Sequence, residues 1–156
     1  MLDRVLDADN LMLHEIMRYT ATLSNPQFIL PAEDGHAAKP PPSLSGPEPA
    51  HTWCYYFEKA DLARQQRNWD EVLTLAEKAF SLEDHPNNPS ERIPFIEGYA
   101  HTGHWPGALE QTKAALDFSP AMQPVMCHLW RRIDKEVPPG PEKDAAVEEV
   151  LKDCSG

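Results

Sequence analysis

Apolar residues recur along this chain at helical spacing, in blocks separated by proline- or asparagine-rich breaks. In the first block Leu13, Ile16, Met17 and Thr20 follow i, i+3, i+4, i+7 spacing, with Met12 and Leu23 beside that stripe. This predicts an amphipathic helix over 10–23, within an N-terminal unit of residues 1–24. Asp7, Asp9 and Asn10 are candidate caps, and Asn25-Pro26 ends the helix. The pattern then lapses. Residues 25–52 hold seven prolines, including Pro40-Pro41-Pro42, with Gly35 and Gly46 among them. Such a stretch excludes regular helix and central strand, and reads as a stiff linker. Phe28-Ile29-Leu30 is its apolar exception, able to dock on a neighbouring surface.

Helical spacing resumes at Thr52, a candidate N-cap. Trp53, Tyr56, Phe57, Ala60 and Ala63 share one face of a helix over 53–66. Asn68 and Glu71 have capping-box spacing and open a second helix, with apolar positions Val72, Leu75, Ala76, Ala79, Phe80 and Leu82. Pro86-Asn87-Asn88-Pro89 stops it. A third helix, capped by Ser90, carries Ile93, Phe95, Ile96 and Tyr99, with Pro94 tolerable only in its first turn. Pro106 starts a fourth, whose apolar positions are Ala108, Leu109, Thr112, Ala115, Leu116 and Phe118 before Ser119-Pro120. From Pro124 a fifth carries Val125, Met126, Leu129, Trp130 and Ile133, and Val137-Pro138-Pro139-Gly140 ends it. Pro141 opens a last helix with Val147, Val150, Leu151 and Cys154 on one face and Glu142, Lys143, Glu148, Glu149 and Lys152 on the other. The pattern therefore predicts an all-α chain, with residues 53–156 as its folded body.

Two segments of that body read as one unit written twice. Gln66-Arg67-Asn68-Trp69 and Thr102-Gly103-His104-Trp105 each set a tryptophan in a short turn, three residues before Val72 or Ala108. The tryptophans are 36 residues apart, a period that suggests a helix-turn-helix repeat. These residues resemble the tetratricopeptide repeat, a helix pair of about 34 residues. In the first unit Tyr56, Ala60, Trp69, Val72, Ala79 and Leu82 match, and Arg67 stands where glycine is usual. In the second Phe95, Tyr99, Gly103, Trp105, Ala108, Ala115 and Pro120 match, while Arg92 and Ile96 do not. The resemblance covers residues 53 to about 136 and implies a short solenoid of two and a half helix pairs, closed by the helix from 141. Small residues at 60, 76, 79, 108 and 115 would let helix axes approach to roughly 8 to 10 Å. So thin a solenoid needs covered ends. Either the N-terminal helix and Phe28-Ile29-Leu30 pack on it, or that helix stays free, or two chains pair as a homodimer.

On such a repeat the first helix of each pair faces a groove. Counting from the turns places Phe57, Asp61, Arg64 and Gln65 there from one pair, Glu97, Ala100 and His101 from the next, and Arg131 and Asp134 from the third. Mixed charge with one aromatic suits a protein or peptide segment. Against this stands the plainer reading that they are solvated charges paired within their own helices, or covered by another part of the chain. The resemblance thus implies a non-catalytic scaffold. A weaker likeness, in Cys54-Tyr55-Tyr56-Phe57-Glu58-Lys59-Ala60-Asp61-Leu62-Ala63 and Pro94-Phe95-Ile96-Glu97-Gly98-Tyr99-Ala100-His101, is to soluble tails of bacterial multi-spanning glycosyltransferase-type membrane proteins. It implies an accessory domain of a glycan-transfer system and carries over no transferase residue.

Composition narrows the partners. Fourteen Lys+Arg against 25 Asp+Glu give a formal charge of -11, which repels nucleic acid and anionic lipid. No apolar run is long enough to span a membrane, and no export signal is visible, so a soluble, cytoplasmic chain is expected. Cys54, Cys127 and Cys154 lack metal-knuckle spacing and read as free thiols in a reducing compartment. His101-x-x-His104 implies no third metal ligand, and Cys127-His128 point about 100° apart on a helix, so neither a metal site nor a nucleophile-base pair is expected. Pro40-Pro41-Pro42 and Pro47-Glu48-Pro49 lack flanking arginines and read as linker rather than as a recognition motif. No cofactor and no enzymatic activity are expected.

Overall fold

The computed structural model describes residues 13–25, 43, 46 and 50–154. Phe28-Ile29-Leu30, the two proline motifs and the first residues of the predicted N-terminal helix lie outside that set. Among the described residues all regular structure is helical: α1 (Glu15–Ala21), α2 (Trp53–Gln65), α3 (Trp69–Phe80), α4 (Ile93–His101), α5 (Trp105–Phe118), α6 (Gln123–Glu136) and α7 (Pro141–Leu151). Short 3-10 turns, Pro89–Arg92 and Pro120–Met122, lead into α4 and α6.

The first of these departs most from its pattern. α1 has seven residues, and the His14 ring nitrogen caps it by accepting from the Ile16 amide at 3.3 Å. Ile16, Met17 and Leu23, read as a buried stripe and its flank, are exposed, and Ala21 is the buried residue. Two turns are too short for spacing alone to decide which face packs.

The body follows the pattern closely, and the reason is visible at its turns. After α2 the Asn68 amide donates to the Ala63 carbonyl at 2.9 Å; after α4 the His104 amide donates to the Tyr99 carbonyl at 2.8 Å. Both bonds span five residues, and the two turns lie 36 residues apart, so the same C-terminal cap is built twice. That cap needs a left-handed residue, which is Gly103 at φ 79° in the second turn and Arg67 at φ 59° in the first. Arg67 thus adopts the glycine conformation without being glycine, at a cost of about 1 kcal/mol.

Helix starts are fixed less locally than their composition suggests. The Asn68 side chain does cap α3, accepting from the Glu71 amide at 3.4 Å. Thr52 stands at the N-cap of α2 but makes no side-chain cap bond. Asp84, 31 residues away, accepts from the Trp53 amide at 2.9 Å instead, while Glu91 accepts from the Trp53 indole at 2.7 Å. Asn88 replaces Ser90 as the cap before α4: its side chain accepts from the Ser90 amide and hydroxyl and opens the Pro89–Arg92 turn. Pro94 then falls in the first turn of α4, where its missing amide costs nothing.

Packing proceeds pair by pair. α2 packs on α3, α4 on α5 and α6 on α7; α3 also packs on α4, and α4 touches both α2 and α6. One apolar cluster joins Trp53, Ala60, Ala63, Val72, Leu75, Ala76, Ala79 and Phe95. A second joins α4, α5, α6 and α7 through residues such as Ile96, Trp105, Met126, Trp130 and Val147, and Tyr99 packs against both. The small residues Ala60, Ala76, Ala79, Ala108 and Ala115 are all fully buried, which is what close helix approach requires. Gly98 marks the tightest point, since a Cβ there would lie 2.4 Å from Val72 Cγ1. Trp130 is buried with its indole donating to Thr112 Oγ1 at 3.0 Å, and Phe118, expected on the apolar face of α5, is exposed.

Candidate functional site

Asp61 and Arg64 lie one helical turn apart on α2, and the Asp61 carboxylate accepts from Arg64 at 3.1 and 2.5 Å. The Gln65 amide donates to its other oxygen at 2.8 Å. Arg64 also donates to Glu97 of α4 at 3.0 Å, and the second oxygen of Glu97 accepts from Arg132 of α6 at 2.5 Å. One chain of charge-assisted bonds therefore runs through three helices, one from each pair. Asp61, Arg64 and Glu97 are 4 %, 5 % and 1 % exposed. Two carboxylates and two guanidinium groups balance, so this burial leaves no net charge within the chain of bonds.

A half-buried edge continues the same side. His101 ends α4 with its ring stacked on Trp69 at 3.9 Å and an interplanar angle of 5°. Its Nε2 lies 3.6 Å from a Glu136 carboxylate oxygen, and Arg67 approaches the other oxygen at 3.5 Å. Burial pushes the His101 imidazole below its ordinary 6.5; Glu97 and Glu136 oppose that shift, while Arg67 and Arg132 reinforce it. The edge can accept a donor or an anion only by rearranging these contacts.

The expected groove residues divide accordingly. Asp61, Arg64, Gln65 and Glu97 come together, with His101 adjoining them. Phe57 is half-buried against the first apolar cluster, and Ala100 is a core residue. On α6 it is Arg132, not Arg131, that reaches Glu97; Arg131 is exposed. Asp134 turns toward α7, where Lys143 meets its carboxylate at 2.8 Å and its carbonyl at 2.6 Å. The signal for Arg132 was present: residue 132 lies about 60° from Leu129 on a helical wheel and residue 131 about 160° away. Arg67, in the turn, and Glu136, at the end of α6, were not foreseen.

The cysteine reading needs correction. Cys127 and Cys154 form a disulfide across 27 residues, with a Cα–Cα distance of 5.7 Å, and Cys54 is the exposed free thiol among the described residues. Odd number and spacing point to three thiols in a reducing compartment, but neither reports the approach of α6 to the turn after α7. Among the described residues no three His, Cys, Asp or Glu side chains converge as metal ligands, and no helix is long and apolar enough to cross a membrane. No family model, curated protein or solved structure matches the chain.

Proposed function

We propose that the chain is a short solenoid of the tetratricopeptide type that binds a protein or peptide segment, without catalysis, along the side carrying Asp61, Arg64, Glu97 and His101. The supporting observation is the duplicated cap at Gly103 and Arg67, which gives successive helix pairs the same turn and so repeats their orientation. The ionic chain ties α2, α4 and α6 together on that side, Arg67 and the His101 edge form its rim, and Arg131 is exposed on α6. A segment bearing carboxylates or a free chain end suits the Arg67 guanidinium group and the His101 imidazole, which meet at Glu136.

Buried Arg64 is a poor test, since its replacement disturbs folding. Arg67→Glu combined with Arg131→Glu changes only exposed groups. Tagged full-length chain should capture a partner from native extract, and the double variant, with an unchanged far-ultraviolet circular dichroism spectrum, should lose it. Retention of every captured protein by the folded double variant overturns the assignment of this side as the binding surface.

A further inference from the structure

The last helix is held to the body in an uneven way. α7 brings Ala146, Val147 and Val150 into the core, with Leu151 partly buried against it. Two valines, an alanine and one half-buried leucine are a small apolar contribution against the entropy of ordering eleven helical residues. Lys143, tied to Asp134, adds one polar anchor near the helix start. At the other end the tie is covalent. Cys127, in α6, is buried, whereas Cys154, just past α7, is half-exposed. The Gln123 amide donates to the Asp153 carbonyl at 3.3 Å and holds the same turn against the first turn of α6.

The rest of the body does not depend on α7 in the same degree. Ile93, Ile96, Trp105, Ala108, Met122, Met126, Leu129, Trp130 and Ile133 already join α4, α5 and α6, and the first apolar cluster contains no residue of α7. Loss of α7 would therefore strip one end of the molecule and leave the remainder packed.

From this asymmetry we infer that the Cys127–Cys154 disulfide is a redox latch on α7: closed, it fixes the helix over α5 and α6; opened by a dithiol reductant, it frees α7 while α2 to α6 stay folded. The exchange is balanced. A reductant thiolate attacks the more accessible Cys154 sulfur, forming a mixed disulfide, and Cys127 leaves as a thiolate that takes up a proton. The second thiol of the reductant then displaces Cys154, so two electrons and two protons pass to the protein and the reductant becomes a disulfide. Closing the latch returns them to an oxidant of the disulfide class. Opening it uncovers apolar surface at the end of the helix array, making that surface available only in the reduced form.

The test uses full-length chain purified without reductant. Maleimide labelling in denaturant should count one thiol, Cys54, before reduction and three after it. Native hydrogen exchange should show α7 amides exchanging at least tenfold faster with dithiothreitol, while α4 and α5 amides keep their protection. Cys154→Ser, which leaves the buried Cys127 side chain in place, should exchange like the reduced wild type without added reductant, and Cys54→Ser like the oxidised one. Three thiols before reduction, unchanged α7 exchange on reduction, or loss of protection throughout the chain would each overturn the latch.

Discussion

At the residue scale the decisive balance is at His101. Its imidazole lies between Trp69, Glu136, Glu97, Arg67 and Arg132, and the lowering by burial outweighs the pull of the two carboxylates toward the charged form. The sign of the consequence follows. With a folded-state pKa below the unfolded 6.5, the unfolded chain binds more protons in that window, so stability rises with pH through it and is lost as pH falls below about 6.5. Melting temperature should therefore decline from pH 7 to pH 5 in the wild type and decline less in His101→Gln. Equal slopes in thermal melts of the two proteins would assign the titration elsewhere. Position 101 was legible in the sequence as part of this side, because it follows Glu97 by one helical turn. Its stacking partner Trp69 is marked in the sequence as the tryptophan of a repeated turn, which does not assign it to that side. Arg132 was lost by a single step of helical register, since charge spacing alone does not say which of two adjacent arginines faces a neighbouring helix.

At the scale of elements, helix existence was legible throughout the body, and so was Asn68 as the cap of α3, whereas the groups that start α2 and α4 were not. The body's helices begin within a few residues of their expected positions because prolines, asparagines and the two tryptophan turns punctuate the chain locally. The start of α2, by contrast, is held from afar. Thr52 has the right chemistry and place for α2, yet Asp84 holds the Trp53 amide, and the amides of Trp53 and His85 together hold its carboxyl below the ordinary carboxylate range. Asp84→Ala should lower the melting temperature, whereas Thr52→Ala should leave it nearly unchanged. Because the Asp84 pKa is lowered, its contribution is present above pH 3.8 and fades as pH falls through the folded value, so wild type and Asp84→Ala should converge in acid. A larger effect from Thr52→Ala than from Asp84→Ala in parallel melts would reverse this assignment.

At the scale of the whole molecule, the pairwise order of helices followed from short turns, but what links the pairs required the third dimension. No local pattern joins Arg64 to Glu97 and Glu97 to Arg132, and the same limit hid the disulfide between Cys127 and Cys154. Glu97 of α4 bonds an arginine of α2 and one of α6 at once, one oxygen for each. Removing it deprives Arg64 and Arg132 of the carboxylate that both bond. An uncompensated buried charge costs more than the pair contributes, so Glu97→Ala should destabilise by about 3 kcal/mol in urea denaturation. Replacing the inner pair with apolar groups, as in Asp61→Leu with Arg64→Met, should cost less than Glu97→Ala, because Glu97 keeps Arg132 as its partner and packing substitutes for the lost bonds. The ordering of these two variants separates a network held for stability from one held for register. If the apolar pair is as stable as wild type but hydrogen exchange at the ends of α2 and α6 quickens, the ionic chain is setting how the three pairs align, and the side proposed to bind a segment owes its shape to it.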